Sequence, residues 1–487
     1  MVEPLCKYGE INNSLNKNPA DVLQQGMFFN LFTEGLELSP NLSEVYELAL
    51  AYYESRILSR KELLKSSAYF VKVDRAFTNH FYICTGDPVK VPEYSSSRLK
   101  SFFINNQFRT GYSTHGLFPY RGKFHPQMIK ALINIMGVKP GERILDPMMG
   151  SGTVPVEASL MGINSIGIDS SPFCNFMAQV KCDSLKINPI YMDNLLKKYG
   201  NIFVDFKSCP KKLNDQKDLF FKNNIFPESV DKEKIFNLVF LAFLDSEGYA
   251  QRSTRKSHLE HFKSILERYF AVVNKIFAVE KHLKLKPAQT DVMQGDARKI
   301  NIENNSIDGI LFSPPYSFAI DYLKNDLSHL EYFENDLSKL SQNMIGMRGK
   351  TLIEKYHLYL EDMDNVISEC CRVLKPGRFC TIIIGTNDSQ LSKALKIPRN
   401  EVSGLNEIIK KIGLSKGFSH VRSLPRQIVG MANTMRQEYI VILQKKEVGI
   451  LGSGYSGGIL GTAYSIQTRN MLQSNRRCSE FTATPPP

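Results

Sequence analysis

The sequence predicts an α/β fold, a mostly parallel sheet with helices on both faces, together with a helical N-terminal extension and a helical insertion. Two observations predict it. Short aliphatic runs ending in an acid or a tight turn alternate with helical stretches over residues 109–180, and the alternation resumes over 287–446. Between these parts, residues 181–286 show helical patterning without a strand-like run.

Taken in order, residues 1–108 read as an irregular, mostly helical N-terminal region. Its periodic stretch is 43–53, with Ser43 as the expected cap. Residues 124–136 form the first core helix. Arg143–Pro147 is a short buried strand running into a glycine-rich turn, and 153–162 is a helix stopped by Gly162. Strands follow at 165–169, within 290–297 and within 306–313. A helix near 362–374 leads through Lys375, Pro376 and Gly377 to a strand at 379–385, and 438–444 is the last strand. Residues 447–487, rich in Gly, Ser and Thr, read as a disordered tail. In such sheets ligands bind outside the carboxyl ends of the strands.

Composition narrows the class. The chain has 487 residues, 43% hydrophobic and 23% charged, as expected of a globular protein rather than a disordered one. No run of 18 apolar residues predicts a membrane span, and Glu3 and Glu10 in the first dozen residues argue against a secretory signal. Nine cysteines without a CxxC pair imply neither a disulfide framework nor a structural zinc, so a cytoplasmic location is expected. A net charge of +12 favours a polyanionic partner, and 21 Tyr and 30 Phe offer rings for stacking on bases.

Four motifs carry chemistry. In residues 145–153 a buried strand ends at Asp146 and Pro147, and Gly150, Ser151, Gly152 and Thr153 open a helix. Glycines there let the backbone approach a ligand, and the helix start offers N–H groups to it. A ligand-free turn is the plain alternative to this reading; a phosphate-cradling loop is not, because no Gly-Lys-Ser/Thr follows. Asp169, 23 residues beyond Asp146, stands where an acid can accept from ribose hydroxyls; its alternative is a helix cap. Asp296 ends the third strand, where it can accept from an adenine amino group. Ser313, Pro314, Pro315 and Tyr316 follow a buried strand. The stiff Pro-Pro turn presents carbonyls without N–H groups, so Ser313 and Pro314 can accept both N–H donors of a base amine while Tyr316 stacks on its face.

Together these motifs resemble the DNA amino-methyltransferase family, cytosine-N4 and adenine-N6, whose members are class I enzymes dependent on S-adenosylmethionine. Residues 146–153 look like the family's cofactor loop, with Met148 where a Phe is usual, and 313–316 look like its catalytic motif. Residues 115–127 resemble the segment leading into that loop that contacts the methionine part of the cofactor, and 374–379 resemble a later element of class I enzymes. The resemblance implies a Rossmann-like core, S-adenosylmethionine held by Asp146, Pro147, Gly150, Ser151, Gly152, Thr153, Asp169 and Asp296, and no metal. It also implies DNA as the substrate, with a cognate restriction endonuclease as a candidate partner. Ser in the first motif position is typical of cytosine-N4 members and favours that base over adenine-N6. The order of motifs, cofactor loop first, is shared with RNA guanine-N2 methylases and keeps RNA as the alternative. The insertion 181–286 is the candidate target reader, because residues 251–286 carry nine Lys or Arg, Arg268 among them, against three acids. A solvated basic face is the equal alternative.

Three further features carry less. His258 and His261 lack a third ligand nearby and read as solvated rather than metal-binding. Residues 424–436 place Arg426 and Arg436 near phosphate or in a structural turn. Gly452, Gly454 and Gly457 match a dinucleotide fingerprint and suggest a nucleotide-dependent oxidoreductase, but too little chain follows for the needed βαβ unit. A catalytically dead relative is disfavoured by the intact 313–316 motif.

Overall fold

The computed structural model describes residues 31–39, 42, 44–84, 111–120, 123–228, 230–252, 256–315, 322–333, 340, 342, 344–385, 388–429 and 435–447. The expected cap Ser43, the tail beyond Glu447 with its glycine fingerprint, and Tyr316 lie outside the described residues.

Seven strands form the main sheet: β4 (Arg143–Asp146), β5 (Asn164–Asp169), β6 (Thr290–Gln294), β7 (Ile307–Phe312), β8 (Leu374–Gly385), β9 (Phe418–Val429) and β10 (Met435–Lys445). Their spatial order is β6-β5-β4-β7-β8-β10-β9. The first five pair in parallel, while β10 is antiparallel to both β8 and β9. This is the α/β sheet that the alternating pattern predicts, with every residue of β7 buried. The chain runs outward from β4 to β6, then returns to place β7 on the other side of β4. That reversal is the topological switch point, where the crevice of an open α/β sheet forms.

Helices cover both faces. One core cluster joins Leu145, Ile310 and Cys380 of the sheet to Tyr359, Met363 and Val366 of the helix Leu352–Val373. A second joins Ile144, Leu311 and Ile440 to Met128, Leu132 and Ile133 of the helix Pro126–Ile135. Between β5 and β6 every element is helical, including the two long helices Lys232–Arg252 and His258–Leu283. Their core is aromatic: Phe206, Phe220, Phe236, Phe240 and Phe243 are buried together. Many rings that the composition offered for base stacking are therefore spent on folding this insertion.

The N-terminal region adds something the sequence reading missed. Beside the helices Val45–Ile57 and Arg60–Ser66 stands a small antiparallel sheet of β1 (Leu36–Leu38), β2 (Phe70–Val73) and β3 (Ala76–Phe77). It is tied to the core through Glu54, which accepts from Ala68 N at 3.0 Å and from Asn134 Nδ2 at 2.7 Å. Asn134 also donates to Ser66 O at 2.8 Å.

Residues 424–436, read as placing Arg426 and Arg436 near phosphate or in a structural turn, supply the end of β9 and the start of β10. Pro425 pairs with Tyr439 in the β9–β10 ladder, tolerated because β9 is the edge strand. Arg426 faces Glu438 there at 3.0 Å, so its charge is used within the sheet.

Candidate functional site

A cleft partly open to solvent lies at the carboxyl ends of the parallel strands. The loop after β4 lines it with Pro147, Met148, Met149, Gly150, Ser151 and Thr153, and the end of β5 adds Asp169. Asp296 follows β6 and Ser313, Pro314 and Pro315 follow β7, all on the same cleft. The four motifs thus converge on one cleft because they terminate four adjacent strands.

The loop after β4 is shaped by two left-handed glycines. Gly150 has φ 48°, and Gly152, with φ 78°, precedes the helix Thr153–Leu160. A Cβ at Gly152 would stand 2.8 Å from the Ala178 Cβ, so this turn has no room for a side chain. Asp146 is fully buried behind the loop. One of its oxygens accepts from Met148 N at 3.1 Å; the other has no partner among the described residues. Burial pushes its carboxyl well above the usual range.

Asp169 does not cap the next helix; Ser171 does, accepting from Cys174 N. Asp169 instead accepts from Gly150 N and Ser171 N, each at 2.9 Å, and so pins the glycine loop to the end of β5. Burial raises its carboxyl, and those two amides oppose the rise. Asp296 lies two residues beyond β6 rather than in it. Its carboxylate is gripped by Arg298, with Nη2 at 2.7 Å. Against the cost of burial, Arg298 holds it below the usual carboxylate range. Arg298 in turn reaches the buried Asp362 at 2.9 Å.

Ser313 and Pro314 present a pair of acceptors. The Ser313 Oγ and the Pro314 carbonyl oxygen are 3.5 Å apart on the cleft wall, and Gly346 lies against Pro315 behind them.

Three wall residues were not singled out by sequence reasoning. Tyr120 and Lys123 come from the segment before the helix Pro126–Ile135; the segment was flagged only by resemblance, and these two residues were not picked out in it. Asp326 comes from the helix Tyr322–Leu330. The Tyr120 hydroxyl is 3.3 Å from Asp326 Oδ2 and 3.3 Å from Cys174 Sγ. Burial lowers Lys123 to about 8. No sequence signal marks Asp326, whose position depends on how its helix docks.

The insertion supports this wall. The Phe118 N–H donates to the Tyr269 hydroxyl at 2.8 Å, and that hydroxyl donates to Asp245 Oδ2 at 3.2 Å. Arg268, counted in the basic stretch, is turned inward to Asp245 at 2.6 Å. His258 and His261 are also packed rather than solvated. His258 lies 2.9 Å from Ser246 Oγ and against Phe243, and His261 stacks on Tyr249. Burial pushes His258 down to about 4. No cluster of metal-ligating side chains exists among the described residues.

Comparison with known proteins agrees with this geometry. Residues 117–200 match the family model described as UPF0020, RMKL-like, methyltransferase domain. The chain is 24% identical to the Type II methyltransferase M.MjaII of Methanocaldococcus jannaschii, over 67% of this chain and 78% of that protein. It is 23% identical to the Type II methyltransferase M.BsoBI of Geobacillus stearothermophilus, over 53% of this chain and 62% of that one. A shorter stretch of 52 residues is 44% identical to a tRNA (guanine(10)-N2)-dimethyltransferase of Methanothermobacter thermautotrophicus, covering 11% of this chain and 16% of that protein.

These likenesses support a methyltransferase enzyme whose methyl donor is S-adenosylmethionine. The residues present fit that group. Gly150, left-handed and lining the cleft, lets the backbone approach a ligand, Asp146 holds a buried oxygen without a donor among the described residues, and Asp169, Asp296 and Asp326 line the cleft.

Proposed function

We propose that this protein is a site-specific DNA methyltransferase acting on an exocyclic base amine, with cytosine-N4 the favoured target and a restriction endonuclease as its cognate partner. The observation that carries the proposal is the acceptor pair, Ser313 Oγ and Pro314 O, 3.5 Å apart on the wall of the cleft that holds the glycine loop. One amine nitrogen can sit within hydrogen-bond distance of both. Two accepted N–H bonds draw the nitrogen lone pair out of conjugation with the ring and aim it into the cleft. S-adenosylmethionine, when bound, would supply an electrophilic sulfonium methyl, leaving its S–C bonding pair on sulfur, and the methylated amine would lose one proton to solvent. The protein's contribution is positioning and electrostatics. Gly150 and Gly152 admit the cofactor to the backbone, with Pro147, Ser151 and Thr153 around them. Asp146 and Asp169 accept from its polar groups, and Asp296, already held by Arg298, borders the same space. Tyr316 stacks on the base, which must leave the duplex at a cost of a few kcal/mol.

The helical insertion is the proposed target reader. With Arg268 spent on Asp245, phosphate contacts fall to exposed lysines such as Lys256, Lys263 and Lys284. Adenine-N6 is the alternative base. A second reading, RNA guanine-N2 methylation, is favoured by the short match to the tRNA enzyme and by the shared motif order.

Variants at the acceptor motif test the proposal. Tyr316→Ala and Ser313→Ala should lower single-turnover methyl transfer to DNA by about 10²-fold or more. Cofactor affinity, measured by calorimetry, should stay within about twofold. Cofactor affinity falling in step with turnover would contradict this division of labour.

A further inference from the structure

The acids around the cleft differ in what already holds them. Asp169 is held by two backbone amides, Asp296 by Arg298, and Asp146 lies behind the loop. Asp326 is buried, lines the cleft, and among the described residues accepts from the Tyr120 hydroxyl at 3.3 Å. No ion pair reaches it among the described residues. His329, one turn along its helix, is turned into Phe118 and Phe173. Cys174 Sγ lies 3.3 Å from the same Tyr120 hydroxyl, and Asp169 and Lys123 line the same cleft, Asp169 adding a second negative charge. Two acids sharing a buried space either keep a proton on one of them or take a cation.

We infer that Asp326 is the seat for a positively charged end of the cofactor, with Tyr120 orienting its carboxylate. This rests on S-adenosylmethionine as the donor and is independent of which nucleic acid is methylated. Two groups of the cofactor have the required chemistry, the sulfonium and the α-ammonium. The geometry has a thermodynamic consequence. Burial pushes the Asp326 carboxyl up to about 7, with Tyr120 opposing and the charge of Asp169 adding to the rise. Near pH 6.5 the empty site therefore holds a proton on this carboxyl for much of the time. A cation seated there favours the ionised form and releases that proton, whereas near pH 9 the carboxyl is already ionised and has none to release.

Calorimetric binding of S-adenosylmethionine to the full chain at pH 6.5 and 9, in buffers of different ionisation enthalpy, reads this directly. Wild type should release a measurable fraction of a proton at pH 6.5 and less at pH 9. Asp326→Asn should release less at pH 6.5 and bind at least tenfold more weakly. Tyr120→Phe, which removes only a hydroxyl, should alter the pH dependence of affinity and covers the case in which the Asn variant does not fold. S-adenosylhomocysteine, a neutral thioether that keeps the ammonium, separates the two sources. Equal release with both ligands assigns the ammonium, and release with S-adenosylmethionine alone assigns the sulfonium. Equal affinity and equal release in wild type and Asp326→Asn would overturn the inference while leaving the donor in place. Failure of wild type to bind S-adenosylmethionine at all would overturn both.

Discussion

At the residue scale, the glycine loop works because Gly152 holds φ 78° in a place where a Cβ would strike Ala178. Gly152→Ala combines that strain with the contact and should destabilise the protein by about 1–3 kcal/mol. Thermal denaturation should show a lower midpoint, and cofactor affinity should fall with it; an unchanged midpoint would mean that the loop relaxes freely. The loop glycines and the strand-end acids Asp146 and Asp169 were legible in the sequence, because a buried strand, a glycine turn and a later acid recur at fixed spacing. What the sequence could not convey was what each acid touches. Asp169 binds its own loop and Asp296 binds Arg298, and both partners are set by tertiary packing. Asp326 and Tyr120, 206 residues apart, meet only in the folded chain.

At the element scale, the insertion between β5 and β6 bears on the cleft through one buried chain of hydrogen bonds, Phe118 N to Tyr269 to Asp245. Tyr269→Phe strands a buried N–H and should cost about 1–3 kcal/mol of stability. Denaturant unfolding should move its midpoint accordingly, and no change would mean that the segment before the cleft does not depend on the insertion. The same elements show where pattern reading stops. The aliphatic, largely buried runs of β4, β5 and β7 and the second half of β8 were anticipated, whereas Leu374–Arg378, expected as a link, form the start of β8. β9 was missed because its proline and polar residues suit only an edge, and edge status is a property of the assembled sheet. β1 to β3 are two to four residues long, too short for an alternation to register.

For the whole molecule, the N-terminal region is bound to the core through a carboxyl that prefers to be neutral. Burial pushes Glu54 up to about 7, opposed by its bonds from Asn134 and Ala68. The folded state therefore holds a proton there that the unfolded chain gives up above pH 4.5. Its contribution to stability is fully present below about pH 4.5 and is lost as pH rises to about 7. Glu54→Gln should flatten that part of the stability–pH profile, measured by denaturant unfolding at a series of pH values; an unchanged slope would assign it to other groups.

The central claim, that one cleft at the β4/β7 switch point methylates an exocyclic amine of DNA, is tested most directly by the product. The enzyme would be incubated with labelled S-adenosylmethionine and either unmethylated genomic DNA or unmodified tRNA and rRNA, and the modified nucleoside identified by mass after digestion. The account predicts label in DNA as N4-methylcytosine. N6-methyladenine would keep the amine chemistry and overturn the use made of Ser313, whereas label on a ring carbon, or in RNA alone, would contradict the account.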